Sequence, residues 1–234
     1  MTKIYTVIAA GGLGKRLLNF RKNDATKMLL QINGEAMITH QLNQLISWGL
    51  DNFIIITNPN FDELIKKEVY KNFPNKNIEY VIQEEQLGVA HALLQASEKI
   101  EKNSKIFYIL GDNFFEFNPL LDKFYETENP TVYLIEVSNP QEFGVVEIDD
   151  NIIVSFEEKP KLPKSNLIAV GFYFLDWNCF EYINSIQPSS RGEYEITSLL
   201  TRYLESKNLG YQMIKGWWID AGTPEAIEKY ESLI

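Results

Sequence analysis

Residues 9–17 read Ala-Ala-Gly-Gly-Leu-Gly-Lys-Arg-Leu directly behind the run IYTVI, and a Thr-Lys pair follows at Thr26 and Lys27. Glycines behind a strand let the backbone take positive φ and let N–H groups close on a phosphate, and a helix start adds favourable dipole potential. Ala9, Gly11, Gly12 and Gly14 fit such a cradle. Arg16 adds a planar fork of donors, and Lys27 adds a mobile point charge. Two cations beside a glycine cradle suit a triphosphate. The spacing excludes a Walker A loop, because only two residues separate Gly11 from Gly14 and Arg16 follows Lys15. A dinucleotide fingerprint starting at Gly12 and Gly14 meets Leu17 at its third glycine position, so a nicotinamide dehydrogenase is a partial match only.

Other residues of chemical interest stand at the ends of apolar runs. Asp112 closes KIFYILGD and Asp220 closes GWWID. Gln83 ends NIEYVIQ and Gly88 opens the next helical pattern, so a side-chain amide and a backbone N–H can reach one ligand edge. Lys159 precedes Pro160, which predicts an extended backbone aiming the ammonium into a cleft. Arg191, Glu193 and Glu195 read as charges at a helix start. His40 and His91 lie mid-helix with no nucleophile or acid nearby in the pattern, and two histidines with one cysteine do not make a zinc site.

The elements that must hold these residues alternate through the first half. TKIYTVIAA, DNFIIIT, NIEYVIQ and KIFYILG read as strands; AMITHQLNQLISW, FDELIKKEVYKNF and a long GVAHALLQASEKIEKN read as helices. That alternation predicts an α/β, Rossmann-like, mostly parallel sheet flanked by helices, with ligands at the carboxyl ends of the strands. After Pro130 the strands PTVYLIEV, FGVVEID, IIVSFEE and LIAVGFYFL come in quick succession, an added β-rich elaboration. WNCFEYINSI, EYEITSLLTRYLESKN and PEAIEKYESLI read as helices. No linker or repeat interrupts the pattern. One domain over 1–234 is expected, with a first half to residue 129 and a second from 130.

The 234 residues carry 45% apolar and 23% charged side chains, ordinary values for a globular fold. A formal charge of −10 sets the broad field against nucleic acid and anionic membranes, so any anionic ligand needs local cations. The start of the chain lacks a signal-peptide pattern, and no apolar run approaches a membrane span. The lone Cys179 reads as a small buried residue and suits a reducing compartment. A cytoplasmic protein is expected.

GGLGKRL followed by TKMLLQING resembles the signature of the sugar-1-phosphate nucleotidylyltransferases. QLGVAHAL, LGDN, EFGVVEID, EEKP, GFYFLD, SSRGEYEIT and WIDAGTPE extend the likeness over nearly the whole chain, in the order of the thymidylyltransferase branch. The resemblance implies the nucleotide-diphospho-sugar transferase fold. It also implies Mg²⁺-dependent attack of a hexose 1-phosphate on the α-phosphorus of a nucleoside triphosphate, giving a nucleotide sugar and pyrophosphate. It assigns Arg16 and Lys27 to the triphosphate, Asp112 and Asp220 to Mg²⁺, and Gln83 and Gly88 to the base. Lys159 goes to the sugar phosphate, Glu158 to sugar hydroxyls, and Gly144 and Val170 to the sugar pocket, with Trp218 as a candidate wall. Val89 stands where relatives often carry Thr or Leu, which leaves the base open; dTTP or UTP with a glucose-like partner is favoured. CTP- or GTP-dependent transfer, or a silent nucleotide-sugar sensor, are the alternatives. The chain ends shortly after Thr223, without the helices of longer relatives or a β-helix domain, so a monomer or homodimer is expected.

Overall fold

The computed structural model describes residues 2–12, 14, 17, 26–120 and 129–234. β1 (Ile4–Ala9) runs into the glycine loop. A small hairpin, β2 (Gln31–Ile32) and β3 (Glu35–Ala36), turns at Asn33 and Gly34 with φ of 46° and 87°, the positive values that a tight hairpin turn requires. Then follow α1 (Met37–Ser47), β4 (Phe53–Thr57), α2 (Asp62–Asn72), β5 (Ile78–Ile82), α3 (Val89–Gln95), β6 (Lys105–Leu110) and β7 (Asn113–Phe115). The second half adds β8 (Thr131–Glu136), β9 (Gly144–Asp149), β10 (Ile152–Glu158), β11 (Leu167–Asp176), α4 (Cys179–Ser185), α5 (Ile196–Glu205), β12 (Gly210–Met213), β13 (Trp218–Asp220) and α6 (Pro224–Glu231). Thr223 caps α6, its Oγ1 accepting from Ala226 N at 3.3 Å with proline at the first helical position.

Nine strands form one mixed sheet in the order β10-β9-β11-β6-β1-β4-β5, with β8 joined to β11 and β12 joined to β8. β6, β1, β4 and β5 are mutually parallel, β11 is antiparallel to β6, and only β11 and β10 run against the rest. Strand order reverses between β1 and β6, which opens a crevice beyond their carboxyl ends.

Alternation along the central strands feeds two cores. Ile8, Ile55, Ile109 and Phe172 face the layer packed by α1, α2 and α6, while Val7, Ile54, Tyr108 and Tyr173 face the layer packed by α3, α4 and α5. A sheet buried on both faces explains why these strands read as continuous apolar runs. β11 pairs β8 along one edge from Leu167 to Phe174, with a register shift between Ala169 and Tyr173, while its other edge meets β9 at Ile168 and β6 from Phe172.

Two helices differ from the sequence reading. α3 stops at Gln95, and a 3₁₀ turn over Ser97–Lys99 follows, because the tightened chain delivers Ile100 into the core ahead of β6. The helix expected from Glu193 begins at Ile196: Glu195 is extended, and the Tyr194 N–H donates to Leu87 O at 2.7 Å while its carbonyl accepts from Ala90 N at 3.1 Å.

Candidate active site

A cleft of about 460 Å³ lies beyond the carboxyl ends of β1, β5 and β6. Ala9, Gly11, Gly12, Gly14, Lys27, Gln83, Gly88, Asp112, Lys159 and Asp220 all line it, together with Gln86, Val89, Ala92, Leu110, Glu193 and Gly222. Arg16 lies outside the described residues.

The floor is main chain held from behind by buried amides. Asn58 Nδ2 donates to Gly11 O at 2.7 Å. The Gln41 carboxamide, with its nitrogen towards them, donates to Gly111 O at 3.2 Å and Asn113 O at 3.0 Å, bracketing Asp112. Asn113 is the hub of the site. Its Nδ2 donates to Asp112 Oδ1 at 3.1 Å, while its Oδ1 accepts from Gly171 N at 2.9 Å and Trp218 Nε1 at 2.8 Å. A Cβ on Gly171 would come within 2.7 Å of Asn113 Oδ1, so a glycine is needed where this amide meets β11.

Pairing of β13 with β7 sets Asp220 opposite Asn113, and Ala221 N donates to Asp112 O at 2.8 Å. The two acids, distant in sequence, therefore stand side by side at one mouth of the cleft. Lys27 Nζ donates to Asp112 Oδ2. Burial pushes the Asp112 carboxyl up, but the Lys27 ammonium and the hydrogen bonds from Lys27 and Asn113 outweigh it and hold the carboxyl below its ordinary value. A carboxylate kept ionised beside a second one offers hard oxygen ligands to a small divalent cation that takes its remaining ligands from water and phosphate. Among the described residues no group of three or more His, Cys, Asp or Glu is placed to hold a metal.

At the other end, Gly88 has φ of 105°, and a Cβ there would meet Tyr194 O at 2.8 Å; both facts demand glycine. Gln83 N donates to Thr57 O at 2.9 Å, continuing the β4–β5 ladder to the cleft.

Lys159 reaches the cleft by a different route from the one expected. Its φ is 44°, a left-handed conformation rather than the extended one favoured before proline, and its N–H donates to Phe143 O at 3.0 Å. That bond continues the β9–β10 pairing past Glu158 and turns the chain at the rim.

Four expected residues are not on the cleft surface. Val170 is fully buried in the core. Trp218 lines an adjoining chamber of about 290 Å³ that shares Asp220 and Gly222 with the cleft, and its ring meets Phe143 edge-on at 5.4 Å. Gly144 sits opposite Glu158 in the β9–β10 register. Glu158 Oε2 accepts from Thr197 Oγ1 at 3.1 Å, and its carboxyl is pushed above its ordinary value by burial first and then by the Glu195 charge.

Glu195 stands at the N-cap of α5, as a helix-start charge should, but without a side-chain capping bond, and all three residues are tied into one ion-pair cluster. The Arg191 guanidinium lies between three acids, 2.9 Å from Glu193, 2.9 Å from Glu195 and 3.6 Å from Glu158. Ser189 Oγ also donates to Glu195 Oε1 at 2.6 Å. Sequence reasoning missed this cluster, and it missed Asn113 and Gln41. The motifs LGDN and SSRGEYEIT contained two of the three, but only contacts across the fold give them work.

The nucleotidyl transferase family model matches residues 5–234. A glucose-1-phosphate thymidylyltransferase of Neisseria meningitidis serogroup A is 34% identical over 97% of this chain and 81% of its own length. A UTP-glucose-1-phosphate uridylyltransferase of Haloferax volcanii is 31% identical over 96% of this chain and 94% of its own. A crystal structure of a Bacillus anthracis chain, described as a candidate glucose-1-phosphate thymidylyltransferase in complex with sucrose, superposes with a TM-score of 0.88 at 32% identity, covering 98% of this chain and 94% of that one. With a glycine-floored cleft, paired acids and a family match over nearly its whole length, the chain belongs to the nucleotidyl transferase family.

Proposed function

We propose that this enzyme joins a nucleoside triphosphate, dTTP or UTP, to a glucose-like hexose 1-phosphate, giving a nucleotide sugar and pyrophosphate. The observation that carries this reading is the juxtaposition of Asp112 and Asp220 at one mouth of a cleft that also holds the glycine loop, Lys27 and Lys159. We assign residues 1–129 to the nucleotide and 130–234 to the sugar phosphate, within one domain. The lone buried Cys179 suits a cytoplasmic setting.

In this proposal the N–H groups around Gly11, Gly12 and Gly14 hold phosphate oxygens, and Arg16 and Lys27 neutralise their charge. Gln83 and Gly88 meet the base. Lys159 holds the sugar phosphate so that one of its oxygens faces the α-phosphorus in line with the pyrophosphate leaving group. The attacking oxygen is already anionic at neutral pH, so no general base is required and no covalent intermediate forms. The P–O bond to pyrophosphate breaks as the new one forms. Asp112 and Asp220 would hold Mg²⁺, which supplies charge neutralisation on the phosphates when bound. The acidic groups around Glu158 are suited to accept hydrogen bonds from sugar hydroxyls.

Pyrophosphate release, measured with several nucleoside triphosphates against a panel of sugar 1-phosphates, tests the assignment. D112A and D220A should each lower turnover by about 10³-fold with the fold intact. Near-normal turnover in either variant would reject the metal role, and no turnover with any pair would reject the reaction.

A further inference from the structure

Gln83 directly follows β5 and is only 3% exposed. Its Nε2 lies 3.2 Å from Gly88 O and 3.1 Å from His91 Nδ1. A carbonyl oxygen accepts and never donates, so Gly88 fixes the nitrogen end of the Gln83 carboxamide inward. Oε1 is the end left for a ligand. His91 Nδ1 must then accept, which puts the ring proton on Nε2.

The Gln95 carboxamide nitrogen lies 3.2 Å from His91 Nε2 and 3.1 Å from His91 O. A neutral imidazole accepts at one nitrogen only, so a single glutamine can donate to the ring. Gln83 is pinned by Gly88. Gln95, half-buried at the end of α3, donates to the His91 carbonyl instead. Burial pushes the His91 imidazolium below its ordinary value, against the opposing charge of Glu85, which keeps the ring neutral near pH 7. Tyr194 stacks on the ring with centroids 6.0 Å apart, so the imidazole is held by its face as well as by its edges.

We infer that His91 is a positioning residue for base choice: it keeps the carboxamide oxygen of Gln83 towards the cleft and so favours uracil or thymine over cytosine. Uracil and thymine present a ring N3–H to such an acceptor, whereas N3 of cytosine is itself an acceptor and would leave two lone pairs opposed. A site built for one donor rejects the analogue lacking it, because its own polar group is left unpaired. The inference rests on Gln83 reading the base, as proposed above.

The test uses H91L, H91N and Q83L, with dTTP, UTP and CTP and the sugar 1-phosphate that gives the highest wild-type rate. H91L should raise KM for dTTP or UTP about tenfold and lower their kcat/KM advantage over CTP by about tenfold, while kcat moves less than about threefold. H91N should recover most of both, since Asn Oδ1 can accept where Nδ1 did. H91A carries the same test should H91L not fold, as judged by thermal melting. Wild-type KM and selectivity in a folded H91L would overturn the inference, as would H91N behaving like H91L, or a wild-type enzyme that prefers CTP. A change in Q83L without one in H91L removes the role of His91 alone. No change in Q83L removes the base-reading assignment beneath it.

Discussion

Along the wall contributed by the first half, the groups that face the cleft are mostly main chain at strand ends, braced by Asn58, Gln41 and Asn113 and joined by one ion pair, Lys27 to Asp112. Along the opposite wall the groups are side chains, Lys159 and Glu193, and one guanidinium off the cleft surface, Arg191, is shared among Glu193, Glu158 and Glu195. Backbone N–H groups suit phosphate oxygens whatever base or sugar is attached, so the first wall handles what all such substrates share. Carboxylates accept hydrogen bonds in chosen directions, and their placement can tell one polyol from another. The cost of the second wall is mutual repulsion among its acids, which Arg191 offsets.

Substitutions on each wall should separate these roles. K27M, on the backbone wall, should act first on turnover, reducing kcat/KM by about 10²-fold or more, and should also lower the melting temperature because it leaves the buried Asp112 carboxylate without its cation. Pyrophosphate release that stayed within threefold would break the comparison. R191A should do the reverse and act first on stability: it strands three acids, and chemical denaturation should show a loss of about 1–3 kcal/mol, moderated by the partial exposure of the guanidinium. R191K should restore little, because an ammonium cannot reach three acids with the geometry of a planar fork. N113A lies where the walls meet. It should lower kcat about tenfold and shift tryptophan emission, through loss of the bonds to Asp112 and to the Trp218 indole.

The smallest effect concerns Glu158. Its folded-state carboxyl is raised, so the folded protein holds that proton more tightly than the unfolded chain does. The resulting stability is fully present below the ordinary value of 4.5 and is lost as pH rises through the folded-state value. E158Q, which mimics the protonated form, should therefore melt higher than the wild type at pH 7, with the gap closing as pH falls towards 4.5. E158Q melting below the wild type at pH 7 would show that Arg191 and Lys159 outweigh burial at this site.

The first wall was the more legible in the sequence, for a physical reason. Its groups sit where strands end, and strand ends are marked by local signals: Ala9 before the glycines, Gln83 before Gly88, Asp112 after an apolar run. The second wall depends on contacts between segments that local pattern does not relate, such as Thr197 with Glu158 or Trp218 with Asn113. Lys159 shows the limit at a single residue, since proline after it argued for extended backbone, and its bond to Phe143 O goes with a left-handed turn instead. Helix α3 shows the same limit, for its helical pattern continued past Gln95 while burial of Ile100 ended it.

β11 lies beneath both walls. From Phe172 to Asp176 it is laddered to β6 on one edge, and from Leu167 to Phe174 to β8 on the other, so a single continuous strand joins the two halves of the sheet. The halves cannot swing apart like a book on its spine without tearing that ladder. Entry and exit of substrates therefore call for no opening of the sheet itself.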